Sequence, residues 1–136
     1  MSPADETPRR EATCSCGQLR LLCVGAPVRV SVCHCGACKR RTGAPFGAQA
    51  RFAADHVERR GDSRTWSRVG ESGGRGTFHF CPICGATVFW EADAIPGFVS
   101  VAVGAFADPE FPPPTVSVYA ELAHPWVTTT GIERHD

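Results

Sequence analysis

What this chain of 136 residues lacks narrows it first. It has no surplus of charge, since 14 Lys and Arg residues balance 14 Asp and Glu residues. No overall basic field is therefore available to hold nucleic acid. It has no apolar run of about 18 residues, so no membrane-crossing helix is expected. The opening stretch has no apolar segment and carries Asp5, Glu6 and Glu11, so a secretory leader is not expected there. Nor is there a long helical pattern, a tandem repeat or a shift in composition that would mark a second domain. Cysteine is what remains in excess: the chain has 8, too few for a small disulfide scaffold but many for an ordinary enzyme. These absences lead us to expect a cytoplasmic, reducing location, where thiols hold metals more readily than they form disulfides.

The densest cysteine stretch is Cys33-His34-Cys35-Gly36-Ala37-Cys38. In an extended chain, residues i and i+2 point to the same side, so Cys33 and Cys35 offer two thiolates to one point. Gly36 permits the turn that swings Cys38 round to join them. A disulfide between Cys33 and Cys35 would have badly angled Cβ vectors. The stretch reads as a claw for a soft metal, zinc above all. Structural zinc sites have four protein ligands, whereas catalytic ones typically have three and an open position. The claw supplies three. His34 lies between two ligands and points the other way. Cys23 has two readings: a small buried apolar residue on a strand face, or a fourth ligand that would close the claw and make it structural.

Four more cysteines form a second set, in Cys14-Ser15-Cys16-Gly17 and Cys81-Pro82-Ile83-Cys84-Gly85. Each pair sits at a turn followed by glycine, and Cys14, Cys16, Cys81 and Cys84 together complete a four-thiolate structural site. A metal joining such distant segments contributes directly to folding free energy. The Cys81–Cys84 pair has thioredoxin-like spacing, but the βαβ context needed by a redox motif is missing.

The rest of the chain reads as short strands with turn signals between them. Leu19, Leu21 and Cys23 share one strand face, and Val28, Val30 and Val32 another. A helical turn follows over Ala37 to Arg41. Strands are expected over Ala44 to Phe52, Val57 to Arg60, Thr65 to Val69, Arg75 to Phe80, Thr87 to Trp90 and Phe98 to Val103. Val116 to Tyr119 reads as a last, edge strand. The fold class is mainly β, with residues 1–11 as a disordered lead-in and 12–130 as one zinc-binding domain. Trp90, Trp126 and the phenylalanines read as core. Exposed strand edges offer a route to a homodimer.

These motifs, in this order, resemble a known family. Cys14 to Gly17, Cys33 through Phe46 with its Lys39-Arg40 and Gly43-Ala44-Pro45-Phe46, Phe80 through Thr87, and Gly104-Ala105-Phe106-Ala107-Asp108 are similar to the motifs of the glutathione-dependent formaldehyde-activating enzymes. That family also includes centromere protein V. The resemblance implies several coiled β-sheets in an Mss4-like fold and two zinc ions per chain. One would be structural at Cys14, Cys16, Cys81 and Cys84, the other catalytic at Cys33, Cys35 and Cys38. Cys23 is outside the family pattern. The implied activity is condensation of formaldehyde with glutathione to S-hydroxymethylglutathione, formally a carbon–sulfur lyase in reverse. The centromere-type relatives imply an alternative, a non-catalytic zinc module for protein or nucleic-acid contacts.

The chemistry of the claw favours a small thiol as substrate, and the resemblance implies that this thiol is glutathione. Three thiolates on Zn²⁺ leave a net charge of about −1, which dulls its Lewis acidity but keeps its affinity for another sulfur. Lys39, Arg40 and Arg41 have two readings, a lure for substrate carboxylates or a solvated face. His34 and His79 are the candidates for moving a proton.

Overall fold

A computed structural model describes residues 7–70 and 72–136. Two β-sheets face each other across one core. The smaller contains β1 (Arg9–Thr13), β2 (Arg20–Val24) and β5 (Val57–Arg60), antiparallel in the order β1-β2-β5. The larger has eight strands: β3 (Arg29–Cys33), β4 (Gly47–Ala53), β6 (Arg64–Val69), β7 (Arg75–Phe80), β8 (Thr87–Ala92), β9 (Phe98–Ala102), β10 (Val116–Val118) and β11 (Arg134–His135). Their order is β11-β10-β3-β4-β9-β8-β7-β6. One α-helix, α1 (Gly36–Thr42), joins β3 to β4. The mainly β architecture with cysteine clusters at its turns fits the Mss4-like expectation.

Alternation along the strands builds the core. Leu19, Leu21 and Cys23 from the small sheet meet Val30, Ala50, Phe52, Phe89, Val99 and Val101 from the large one. Residues at the intervening positions of β3 and β4, Arg29, Ser31 and Cys33 with Gly47, Gln49 and Arg51, point to the opposite face of the large sheet. That second face carries the chemistry described below.

Three expectations need correction. Residues 9–11 do not belong to a disordered lead-in: they pair with Leu22, Cys23 and Val24 in β1. Only Ala12 of that strand is apolar and buried, so the alternation signal was weak. The first six residues of the expected lead-in lie outside the described residues. Val116–Val118 is not an edge strand either. It runs parallel between β3 and β11, and β11 spans only two residues, too few for a pattern. Val28 does not share the buried face of Val30 and Val32. It precedes β3 and is largely exposed. Among the described residues, no helix is long and apolar enough to cross a membrane.

Candidate metal centre

The claw forms where β3 hands over to α1. Cys33 ends β3, paired with Gly47 of β4 on one side and Val118 of β10 on the other. Cys35 caps the helix: its sulfur accepts a hydrogen bond from the Cys38 backbone N–H at 3.4 Å, the part that Ser or Asp side chains usually play. Cys38 sits in the first turn. Gly43 ends α1 in the left-handed conformation, with φ 67°, and its N–H reaches Lys39 O at 2.8 Å. Gly47 lets the helix lie close on β4, because a Cβ there would stand 2.9 Å from Arg41 Nη2 and 3.4 Å from Cys38 Cβ. The sulfurs of Cys33, Cys35 and Cys38 all lie within 4.8 Å of one another. Among the described residues, no fourth Cys, His, Asp or Glu donor joins them.

The charge on these thiols is unevenly held. Hydrogen bonding to Cys38, together with burial, pushes the Cys33 thiol far above its ordinary range. The same hydrogen bond with Cys33, then that with Cys35 and the Arg41 guanidinium, pulls Cys38 down to about 5 against the cost of burial. The pair thus favours one shared negative charge, held toward Cys38 and the Arg41 guanidinium.

Cys38 also faces open space. A cleft of about 420 Å³ is lined by Cys38, Ala37, Arg40, Arg41, Arg68 and the aromatic rings of Trp66 and Phe78. A second cleft, of about 220 Å³, shares Cys38, Arg41, Arg68 and Phe78 and runs on to Gln49, Arg75 and Trp90. No carboxylate lines either cleft among the described residues. The Arg41 guanidinium lies over the Trp90 ring at 4.1 Å and the Phe78 ring at 5.7 Å, cation–π contacts that fix a long side chain beside the sulfurs.

The basic run of α1 therefore divides. Arg40 and Arg41 line the cleft, while Lys39 turns away and donates to Leu122 O at 2.6 Å. The expectation that the tryptophans and phenylalanines are all core is corrected too. Phe52, Phe89, Phe106 and Phe111 are buried in the core, but Trp90 and Phe78 stand on the cysteine side of the sheet as cleft walls, and Trp126 is 72 % exposed.

The other cluster is built differently. Cys14 and Cys16 come from the turn between β1 and β2, and Cys81 and Cys84 from the knuckle after β7. Gly17 and Gly85 take left-handed turns, φ 85° and 81°, that fold each pair back on itself. Their N–H groups bond to Cys14 O at 3.1 Å and Cys81 O at 2.9 Å. The Cys16 sulfur lies 3.6 Å from those of Cys14 and Cys81. That is near the edge length of about 3.8 Å for a tetrahedron of sulfurs 2.3 Å from zinc. The Leu19 N–H donates to the Cys14 sulfur, and the Gln18 side chain and Ile83 N–H donate to that of Cys81. Burial works against ionisation of Cys81, yet Gln18 and the backbone N–H groups of Cys84 and Ile83 outweigh it and hold the thiol at about 6.

Three residues that the sequence left open fall into place. Cys23 is fully buried in the core, where burial pushes its thiol up to about 12; it joins neither cluster. His34 is buried against the Phe46 ring at 5.8 Å, and burial lowers its pKa. His79 points to the face opposite Phe78, stacked on Phe89 at 4.2 Å. Its Nε2 stands 2.7 Å from Glu91 Oε1, off the angle of a good hydrogen bond. Neither histidine lines the two clefts over Cys38. Gln49, Arg68 and Arg75 were missed in the sequence. Gln49 had a signal, two residues after Gly47 on the strand opposite the claw. Arg68 and Arg75 had none, because only pairing of β6 with β7 brings them there.

The model of one protein family, described as glutathione-dependent formaldehyde-activating enzyme, matches residues 9–122. The chain belongs to this family. Its match takes in both cysteine clusters and the strands that form the clefts. No curated protein matches the chain. Among solved structures, a Rhodobacter sphaeroides protein is similar in fold, with a TM-score of 0.52 and 19% identity. That alignment covers 70% of this chain and 85% of the other. For a member of this family, both clusters can hold a metal ion, and all-thiolate donor sets fit zinc.

Proposed function

We propose that this protein is a carbon–sulfur lyase that depends on zinc and acts on a thiol–aldehyde adduct of the S-hydroxymethylglutathione type, with Cys33, Cys35 and Cys38 as the ligands of the catalytic metal. The observation that carries this reading is a cluster of three sulfurs with no fourth donor among the described residues, one of which, Cys38, lines a cleft rich in arginine. Zinc, when bound there, supplies a soft cation with room for one more sulfur and lowers the pKa of an incoming thiol. Cys14, Cys16, Cys81 and Cys84 hold a structural zinc in the same reading.

The chain's own residues do the rest. In the synthetic direction, the substrate sulfur attacks the carbon of formaldehyde. The C–S bond forms, the π pair of the carbonyl moves to oxygen, and the alkoxide takes a proton from water. Among the described residues, no side chain lining the two clefts has the chemistry of a general acid near neutral pH. Arg41, held in place by Trp90 and Phe78, instead stabilises the developing negative charge. Arg40, Arg68 and Arg75 favour entry of an anionic substrate along the cleft.

The test is exchange of ¹³C-formaldehyde with glutathione, followed by NMR on the metal-loaded protein. Exchange faster than in protein-free buffer, lost in Cys38→Ser, is the expected result. No acceleration at full metal content would favour the binding-module reading.

A further inference from the structure

A second polar pocket, of about 170 Å³, opens on the same face of the large sheet, lined by Arg29, Ser31, Gln49, Arg51, Trp90 and Ser100 among others. It shares Gln49, Trp90 and Ala92 with the cleft that reaches Cys38, so the two are neighbours on one face. Its charge is not balanced. Arg29 and Arg51 are direct partners across β3 and β4, two guanidinium groups side by side. Arg29 has one carboxylate, Asp136, at 3.4 Å, which Arg134 shares at 2.6 Å. Arg51 has no ion-pair partner among the described residues, and no carboxylate lines the pocket. The buried Nε atoms of both arginines find no hydrogen-bond partner there, nor does Oε1 of Gln49. Burial first, and then the charge of Arg29, lowers the pKa of Arg51. Two adjacent cations taken partly out of water are costly unless an anion joins them. The larger the share of buried donors left unpaired, the more the pocket resembles a built anion site.

We propose that Arg29 and Arg51 are the carboxylate subsite for the substrate of the three-sulfur cluster, which is then a peptide-like thiol with a free carboxylate. This rests on the proposed function. The spacing sets the shape of the ligand. Arg51 lies four residues along β4 from Gly47, the partner of Cys33, so the strand separates the two ends by roughly 13 Å. The long arginine side chains shorten that gap, and what remains lies within the reach of a tripeptide, which extends to about 10 Å. Gln49 stands midway and touches both cavities. With its Nε2 bound to Ser31 Oγ at 3.0 Å, its free Oε1 can accept an amide N–H of the ligand. Arg29 and Arg51 act as specificity residues, remote from the reacting atoms.

The experiment measures affinities by titration calorimetry on the zinc-loaded protein, for wild type, Arg51→Gln and Arg51→Lys. The probes are glutathione, S-methylglutathione, glutathione diethyl ester and 2-mercaptoethanol. Arg51→Gln should weaken glutathione and S-methylglutathione alike, by about 10- to 100-fold, with partial recovery in Arg51→Lys. It should leave the diethyl ester and 2-mercaptoethanol unchanged. On wild type alone, which needs no variant to fold, esterification should cost a similar factor. Equal binding of glutathione and its diethyl ester to the wild type, or an unchanged S-methylglutathione affinity in a folded Arg51→Gln, would overturn the subsite. Failure of 2-mercaptoethanol to bind bears instead on the thiol-binding reading of the cluster. The S-methyl probe, which has no free thiol, still reports on the arginines in that case.

Discussion

The two cysteine clusters use the same donor atom and differ in almost everything else. The four-sulfur cluster takes its members from two turns 65 residues apart, folds each turn with a left-handed glycine, and surrounds its sulfurs with backbone and Gln18 donors. The three-sulfur cluster comes from one six-residue stretch, is set by a helix cap, and looks onto clefts lined by arginine and aromatic rings. Donor count and surroundings together set the two apart, and under the proposed function one is a clasp and the other a working site. Four sulfurs with local amide donors leave nothing to react. Three sulfurs beside cationic space leave a place for a substrate.

Breaking the clasp should have the largest effect. Cys81→Ser is expected to lose metal and unfold the chain, because structural zinc is worth on the order of 10 kcal/mol in small zinc peptides and whole domains have only about 5–15 kcal/mol of stability. Metal analysis with a circular-dichroism melt tests this, and a folded Cys81→Ser protein would erase the contrast. Cys35→Ser should instead lose one metal and keep the fold, with activity down at least about 100-fold, since even outer-sphere changes at metal sites cost 10–100-fold. Global unfolding of Cys35→Ser would make the claw structural as well.

A smaller effect sharpens the electrostatic difference. In metal-free protein, thiolate absorbance should bleach as pH falls through about 6 for Cys81 and about 5 for Cys38. Arg41→Met should move the lower step upward and leave the upper one alone. A thiol held below its ordinary value of 9.0 adds stability in full above that value and loses it as pH falls through the shifted one. Metal-free protein should therefore weaken on acidification. Cys23 has the opposite sign: its neutral form is favoured, and its contribution disappears as pH rises through about 12. The smallest expected change is that of Cys23→Ala, with metal content unchanged and about 1 kcal/mol of stability lost. Loss of metal would put Cys23 back among the ligands.

The ease of reading followed the range of the interactions. Cys33, Cys35 and Cys38 lie within one turn of chain, so their convergence was visible from spacing alone, as were the Gly17 and Gly85 turns. Cys23 was ambiguous until β2 placed it in the core, since alternation names a face without saying what covers it. Arg68 and Arg75 reach Cys38 only through the pairing of β6 with β7, and Trp90 through β8 beside them. Trp90 looks like a core residue to any rule based on hydrophobicity, and its position beneath Arg41 depends on which face α1 crosses. The polar strand β1 and the two-residue β11 were illegible because neither buries enough apolar surface to leave a pattern.

The 65-residue separation across the clasp also imposes an order on assembly. As the chain leaves the ribosome, the claw's three thiols emerge together and ahead of Cys81 and Cys84. The three-sulfur cluster can therefore capture an ion on a nascent, still unlocked polypeptide, and the four-sulfur clasp closes last. Scarcity of metal late in synthesis would leave armed but unfastened molecules rather than fastened, idle ones.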